Sequence, residues 1–165
     1  MSDFAIIPME ACHWEYVREI YRKGIELGLA TFTTEVPEYD IWDRGHLKAC
    51  RLVAVVEGAI VGFAALSPIA SAPAYKGAAE FSIYIDPDFK RMGMGKSLTD
   101  EMWRICPKNG IWMLFSSIIA DNEASINLHY ACGFRMIGYR EKPAKDINGI
   151  WRNTVLMEKR NPDMY

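Results

Sequence analysis

The sequence is poor in the residues that build metal centres and disulfide frameworks. Only four cysteines occur, at positions 12, 50, 106 and 132, with no C-x-x-C pair, and only three histidines. That spacing makes neither a zinc motif nor a secreted disulfide scaffold, so no metal is expected. Four buried thiols in a reducing cytoplasm are expected instead. Charge of one sign is lacking too. The formal net charge is −2, which offers a polyanion no basic face and argues against nucleic acid as a partner. No run approaches the roughly 20 apolar residues that cross a bilayer. The opening MSDFAIIPMEACHWEY carries acids where a secretory leader needs positive charge and a long apolar core. A cytoplasmic protein without membrane contact is the expectation. Repeats, linkers and low-complexity tracts are missing as well, and 165 residues is the size of one domain, 1–165.

What is present is apolar and patterned. Half the residues, 50 %, are hydrophobic. Residues 4–8 read as a strand, and 10–27 as a helix, with Val17, Ile20, Tyr21 and Ile25 at helical spacing and Gly28 as its stop. Asp40 is placed to cap a short helix running past Trp42 to Leu47. RLVAVVEGAIVGFAALSP reads as two strands joined at Glu57-Gly58, and AEFSIYIDP as a third. Helices are predicted at 96–105 and 124–132, with strands at 111–119, 134–139 and 154–158. Hairpins come first and alternation with helices follows, which predicts an α+β domain on a mixed sheet.

The segment FKRMGMGKSL, 89–98, raises the functional question. Gly95-Lys96-Ser97 ends like a phosphate loop, but the G-x-x-x-x-G-K-[ST] pattern needs glycine where Lys90 stands. A dinucleotide fingerprint needs glycine at Leu98. What remains is strand, turn, basic residues, G-x-G and helix. Such a loop aims backbone N–H groups and a helix dipole at a pyrophosphate, with Lys90, Arg91 and Lys96 adding charge. A plain glycine turn opening a helix under three solvated cations has the same spacing.

Beyond that spacing, Lys90-Arg91-Met92-Gly93-Met94-Gly95 resembles the (Q/R)-x-x-G-x-G/A acetyl-CoA loop of the GNAT superfamily of N-acetyltransferases. Lysine stands where glutamine or arginine is usual. NEASINLHYACGF, 122–134, resembles the N-x-x-[SA]…G-F helix of the same superfamily. ATFTTEVP, AEFSIYIDP, LHYACGF and GYREKPAK…W together resemble its phosphinothricin acetyltransferase-like branch, over nearly the whole chain. The resemblance implies a mostly antiparallel twisted sheet flanked by helices, acetyl-CoA as co-substrate and a homodimer. It implies cofactor contacts from Ile83, Tyr84 and Ile85, from Arg91, Met92, Gly93, Met94, Gly95, Lys96 and Ser97, and from Asn122 and Ser125.

Acetyl transfer to an amine needs a base for the ammonium proton and a proton or dipole for the leaving thiolate. In AEFSIYI, alternation turns Phe81, Ile83 and Ile85 to one face and Glu80, Ser82 and Tyr84 to the other. Glu80 among apolar neighbours should be desolvated towards useful basicity, although a strand-end glutamate is also commonly just exposed. Its position matches the base of the branch. Asn122, Ser125 and His129 recur at helical spacing, which suggests a polar stripe facing a cleft. The resemblance gives His129 the place of the acid that meets the thiolate, or of a relay for the amine's proton.

The aromatics Phe32, Trp42, Tyr75, Phe81, Tyr84 and Trp151 are candidates to wall an acceptor pocket, although most aromatics in a domain of this size are core, and Phe32, Tyr75, Phe81 and Ser82 are the acceptor residues expected. Ala72 stands where the branch often has an arginine for an anionic acceptor, Asn153 where aspartate is common, and two extra residues separate Lys145 from Trp151. The implied activity is N-acetylation of a small primary amine, such as the amino-acid analogues phosphinothricin or methionine sulfoximine. Other amines (a peptide N-terminus, a polyamine, an antibiotic) and a non-catalytic acyl-CoA sensor remain the alternatives.

Overall fold

The computed structural model describes residues 3–165. Its strands are β1 (Phe4–Pro8), β2 (Leu52–Val56), β3 (Ala59–Pro68), β4 (Ala78–Ile85), β5 (Met113–Ile119), β6 (Arg135–Lys145) and β7 (Trp151–Arg160). They form one sheet in the order β1-β2-β3-β4-β5-β7-β6. The helices are α1 (Trp14–Glu26), α2 (Tyr39–Gly45), α3 (Met94–Ile105) and α4 (Glu123–Ala131).

Continuous apolar runs in β2 and β3 follow from burial on both faces. On one face Leu52, Ala54 and Val56 join Leu98 and Met102 of α3. On the other, Val53, Phe63 and Ala65 join Val17 and Ile20 of α1 and Trp42 of α2. Alternation along each strand sorts its side chains between these two cores. The β2–β3 hairpin closes as expected at Glu57 and Gly58, whose φ values of +49° and +83° match the left-handed turn that right-twisted strands prefer.

Every pairing is antiparallel except β4 with β5. That parallel ladder holds three pairs only, Ala78↔Met113, Ala79↔Leu114 and Glu80↔Phe115. Beyond Glu80 the two strands part. Phe81–Ile85 stays paired to β3, while Ser116–Ile119 stays paired to β7.

Four expectations need correction. Glu38, not Asp40, occupies the N-cap of α2, and Asp40 lies in its first turn. Strands β6 and β7 run well beyond 134–139 and 154–158, because pairing continues across two register shifts. The sequence hid this in β6, which has no buried residue and so no apolar alternation. Cys12 is exposed, whereas Cys50, Cys106 and Cys132 are buried and free. No helix among the described residues is long and apolar enough to cross a membrane.

Candidate active site

The glycine loop is built from β4 outward. Asp86 ends the strand and accepts from the Asp88 N–H at 3.0 Å, forming a tight turn. Lys23 of α1 holds the same carboxylate at 2.7 Å, fastening the loop to the α1 side. The chain then turns through Arg91 at φ +64° and Gly93 at φ +83°, the N-cap of α3. A left-handed N-cap suits glycine, and a side chain there would point into open space. The first backbone N–H groups of α3, on Met94, Gly95 and Lys96, have no intrahelical acceptor and sit at the positive end of the helix dipole.

Side chains divide this loop into two kinds. Met94 is 1 % exposed, in the core, so a cofactor meets only its backbone. Met92 packs against the same core. Gly95 is close-packed, and a Cβ there would lie 3.1 Å from Leu128 of α4. Lys96 is ion-paired with Asp100 one turn on, which removes part of the charge expected of it. Lys90 and Arg91 are exposed and have no ion-pair partner among the described residues. Ser97 is half-buried on the first turn.

Glu80 stands on the last paired rung before β4 and β5 part. Burial raises its carboxyl above the ordinary range, and the charge of Arg140 opposes that rise. The expected alternation is correct in direction but not in character. Tyr84, on the face of Glu80, stacks on Phe63 with ring centroids 5.1 Å apart in the α1-side core. Its hydroxyl is pushed well above the usual tyrosine range by burial. Ile83 and Ile85 pack on the α3 side. For all three, the backbone is what β4 offers to a cofactor.

Across the opening, the Ser116 hydroxyl of β5 reaches the Phe81 carbonyl at 3.2 Å and His129 Nε2 at 2.9 Å. His129 Nδ1 lies 2.7 Å from the Ser125 carbonyl. A carbonyl only accepts, so Nδ1 carries the proton and Nε2 of the neutral ring is an acceptor. Phe81 O and Nε2 therefore compete for the single hydrogen of Ser116.

This overturns the cleft-facing stripe. His129 is 2 % exposed, packed edge-on against Phe81 and Phe134 with centroids 5.8 and 4.7 Å away. Helix α4 turns it inward because its apolar neighbours there belong to the α3-side core. Asn122 is likewise committed. It caps α4 by accepting from the Ser125 N–H at 3.2 Å and donates to the Leu29 carbonyl at 3.2 Å. Phe81 is buried against His129 and Phe134, so it does not line an acceptor pocket. Tyr75 is exposed, while Phe32 and Ser82 are half-buried. Ser116 was missed by sequence reasoning, although a serine inside the apolar run IWMLFSSII is itself a signal.

The buried imidazole makes stability depend on pH. Burial holds its pKa below the ordinary histidine value, with the Ser125 hydrogen bond opposing. A lowered histidine contributes stability above the unfolded pKa of about 6.5, and loses it as pH falls towards the folded value. Urea midpoints should therefore fall between pH 7.5 and 5.5 in the wild type, and fall less in His129→Gln. Equal slopes would show that the ring charges freely where it sits. His46, also lowered by burial, is common to both proteins and cancels.

The seven-stranded sheet thus opens where a three-pair parallel ladder ends, with a glycine-capped helix and a half-buried carboxylate at the opening. Residues 14–134 match the Acetyltransferase (GNAT) family model, and the chain belongs to that family. Within it, the chain is similar to phosphinothricin N-acetyltransferase of Alcaligenes faecalis, 31 % identical over 151 residues, 87 % of this chain and 75 % of the relative. It is also similar to the L-amino acid N-acetyltransferase AaaT of Escherichia coli, 26 % identical over 87 % of this chain and 90 % of that one. A phosphinothricin acetyltransferase from Sinorhizobium meliloti, solved with AcCoA, superposes with a TM-score of 0.86 at 28 % identity, covering 97 % of this chain and 89 % of that one.

Proposed function

We propose that the whole chain, 1–165, works as one acetyl-CoA-dependent N-acetyltransferase on the primary amine of a small molecule, an amino-acid analogue of the phosphinothricin or methionine sulfoximine kind. The observation that carries this reading is Glu80, a partly desolvated carboxylate at the point where β4 and β5 separate. Acetyl-CoA supplies the activated acetyl group. The free N–H groups of α3 with Lys90 and Arg91 receive its pyrophosphate, and the backbone of Ile83–Ile85 and Met92–Ser97 lies alongside. Glu80 takes the ammonium proton, directly or through a water, and leaves the amine lone pair free for attack. His129 is set back behind Ser116, so in this reading it acts through that hydroxyl as a positioning residue. Asn122 and Ser125 hold α4 in place, and Phe32, Tyr75 and Ser82 border the acceptor.

The functional unit in this reading is a homodimer in the cytoplasm. Tyr130 of α4, Met136, Ile137 and Tyr139 of β6, and Ile150 and Trp151 at the start of β7 are all large, apolar and about half exposed. A second copy covers them, and gel filtration at monomer mass would overturn this. Three buried free thiols suit a reducing compartment.

Thiol release from acetyl-CoA against a panel of small amines, with mass-spectrometric detection of acetylated product, tests the activity. Product should form with at least one amino acid. Binding of acetyl-CoA with no product from any amine would favour a sensor. The loop assignment has its own check. Gly93→Val forces a β-branched residue to φ +83°, a cost of order 1–3 kcal/mol, and re-aims the α3 N–H groups. Heat-shift stabilisation by acetyl-CoA should vanish in this variant. Undiminished stabilisation would remove the loop from the site.

A further inference from the structure

Arg140 has no place in the reaction outlined above, yet its charge reaches Glu80. Sheet register explains how. Paired residues share a face, and Glu80 pairs with Phe115. Along β5, Phe115, Ser117 and Ile119 share that face, and Ile119 pairs with Thr154 of β7. Thr154 in turn pairs with Arg140 of β6. Glu80, Ser117, Thr154 and Arg140 thus stand on one side of the sheet, across the strands that lie beyond the opening. His129 and Ser116 belong to the other side.

Two further observations bear on Arg140. Seven of the chain's ten arginines, at 18, 22, 51, 104, 135, 152 and 160, are ion-paired, and among the described residues Arg44, Arg91 and Arg140 are not. Arg140 has neither a hydrogen bond nor an ion pair from its side chain among the described residues, and it sits at a register shift that interrupts its ladder before Ala144. Beside it, Thr154 is 2 % exposed, and its hydroxyl is the buried side-chain polar atom left without a partner among the described residues. Buried hydroxyls are ordinarily satisfied. An exposed guanidinium without a protein partner and a buried unsatisfied hydroxyl, on directly paired residues, form a donor pair open to an acceptor.

We propose that Arg140, with the Thr154 hydroxyl beside it, is the subsite for a carboxylate on the acceptor amine, and so determines specificity for α-amino acids over neutral amines. It supplies from β6 the cation that Ala72 withholds from the loop before β4. A guanidinium fork matches a carboxylate with two parallel hydrogen bonds. Seating the carboxylate there leaves the α-amine directed along the same face to Glu80. The inference rests on the N-acetyltransferase reading and deepens it.

The test compares two acceptors that share one amine, L-methionine sulfone and its carboxamide, in the wild type and in Arg140→Ala. Because Arg140 also acts on Glu80, the readout is the ratio of kcat/KM for acid over amide, in which any common change cancels. Wild type should prefer the acid, and the ratio should fall about 10- to 100-fold in the variant, mostly through KM, as loss of a charge-assisted hydrogen bond implies. Turnover of the carboxamide shows that the variant is folded and competent. A ratio within twofold of wild type overturns the subsite and leaves the acetyltransferase standing. Failure of both probes while some other amine is acetylated also overturns it. If no amine at all is acetylated, the reading of function falls, and the subsite with it.

Discussion

Glu80→Gln should lower kcat by about 10²–10⁴-fold, the usual cost of losing a general base, while heat-shift stabilisation by acetyl-CoA stays at its wild-type size. The amide keeps the shape of the carboxylate and the β4–β5 rung but cannot take a proton. The defect should shrink as pH approaches the pKa of the acceptor amine, where solution delivers free amine and the base becomes redundant. In the wild type, burial raises the carboxyl of Glu80, and a base works only when ionised. The acid limb of the pH–rate profile should therefore lie above the ordinary carboxylate range, and activity should be lost as pH falls through it. Arg140→Ala should move that limb further up, since the opposing charge is gone. Wild-type kcat/KM in Glu80→Gln near pH 7 would make the carboxylate structural.

Gly77→Ala should be the most damaging small substitution for stability. A Cβ at residue 77 would lie 1.9 and 2.0 Å from two ring atoms of Trp112, far inside van der Waals contact. The two backbones cannot simply part, because the Trp112 backbone N–H is held by the Gly77 carbonyl at 2.8 Å, so the ring itself must turn. Overpacking of this kind costs typically 1–3 kcal/mol and occasionally more. Taking about 3 kcal/mol, the melting temperature should drop by roughly 6–12 °C at 2–4 °C per kcal/mol. Shortening the partner in Gly77→Ala/Trp112→Leu should recover part of the loss. A melt within 2 °C of wild type, on that same scale, would mean that the ring is not confined.

How much of this was legible beforehand differs between elements. The β2–β3 hairpin was, because Glu57-Gly58 announces a left-handed turn between two apolar runs. The glycine loop was too, since only glycine takes φ +83° at an N-cap without strain. Helix α4 was found, but its orientation was not. Periodicity says which residues share a face, not whether that face meets solvent or core, and Phe81 and Phe134 settled it for His129. Met94 and Tyr84 show the same limit, since a motif position does not say that the side chain serves a core and leaves only the backbone to face outward. Arg140 could not be found at all. Its strand has no buried residue, and its relation to Glu80 passes through three pairings that no local pattern encodes.

The short β4–β5 ladder also has a mechanical meaning. Seven pairs join β3 to β4 and seven join β5 to β7, but three join the halves they belong to. The sheet is two stiff plates on a narrow seam, and flexing between them concentrates there, where the base also sits. Ser116 and Phe81 stitch the seam's open end with one hydroxyl. A molecule that spans the opening therefore acts as a splint as well as a reactant, locking the plates at one angle. Amide exchange at Ala79, Glu80 and Leu114 would register that stiffening, at backbone positions a ligand need not touch.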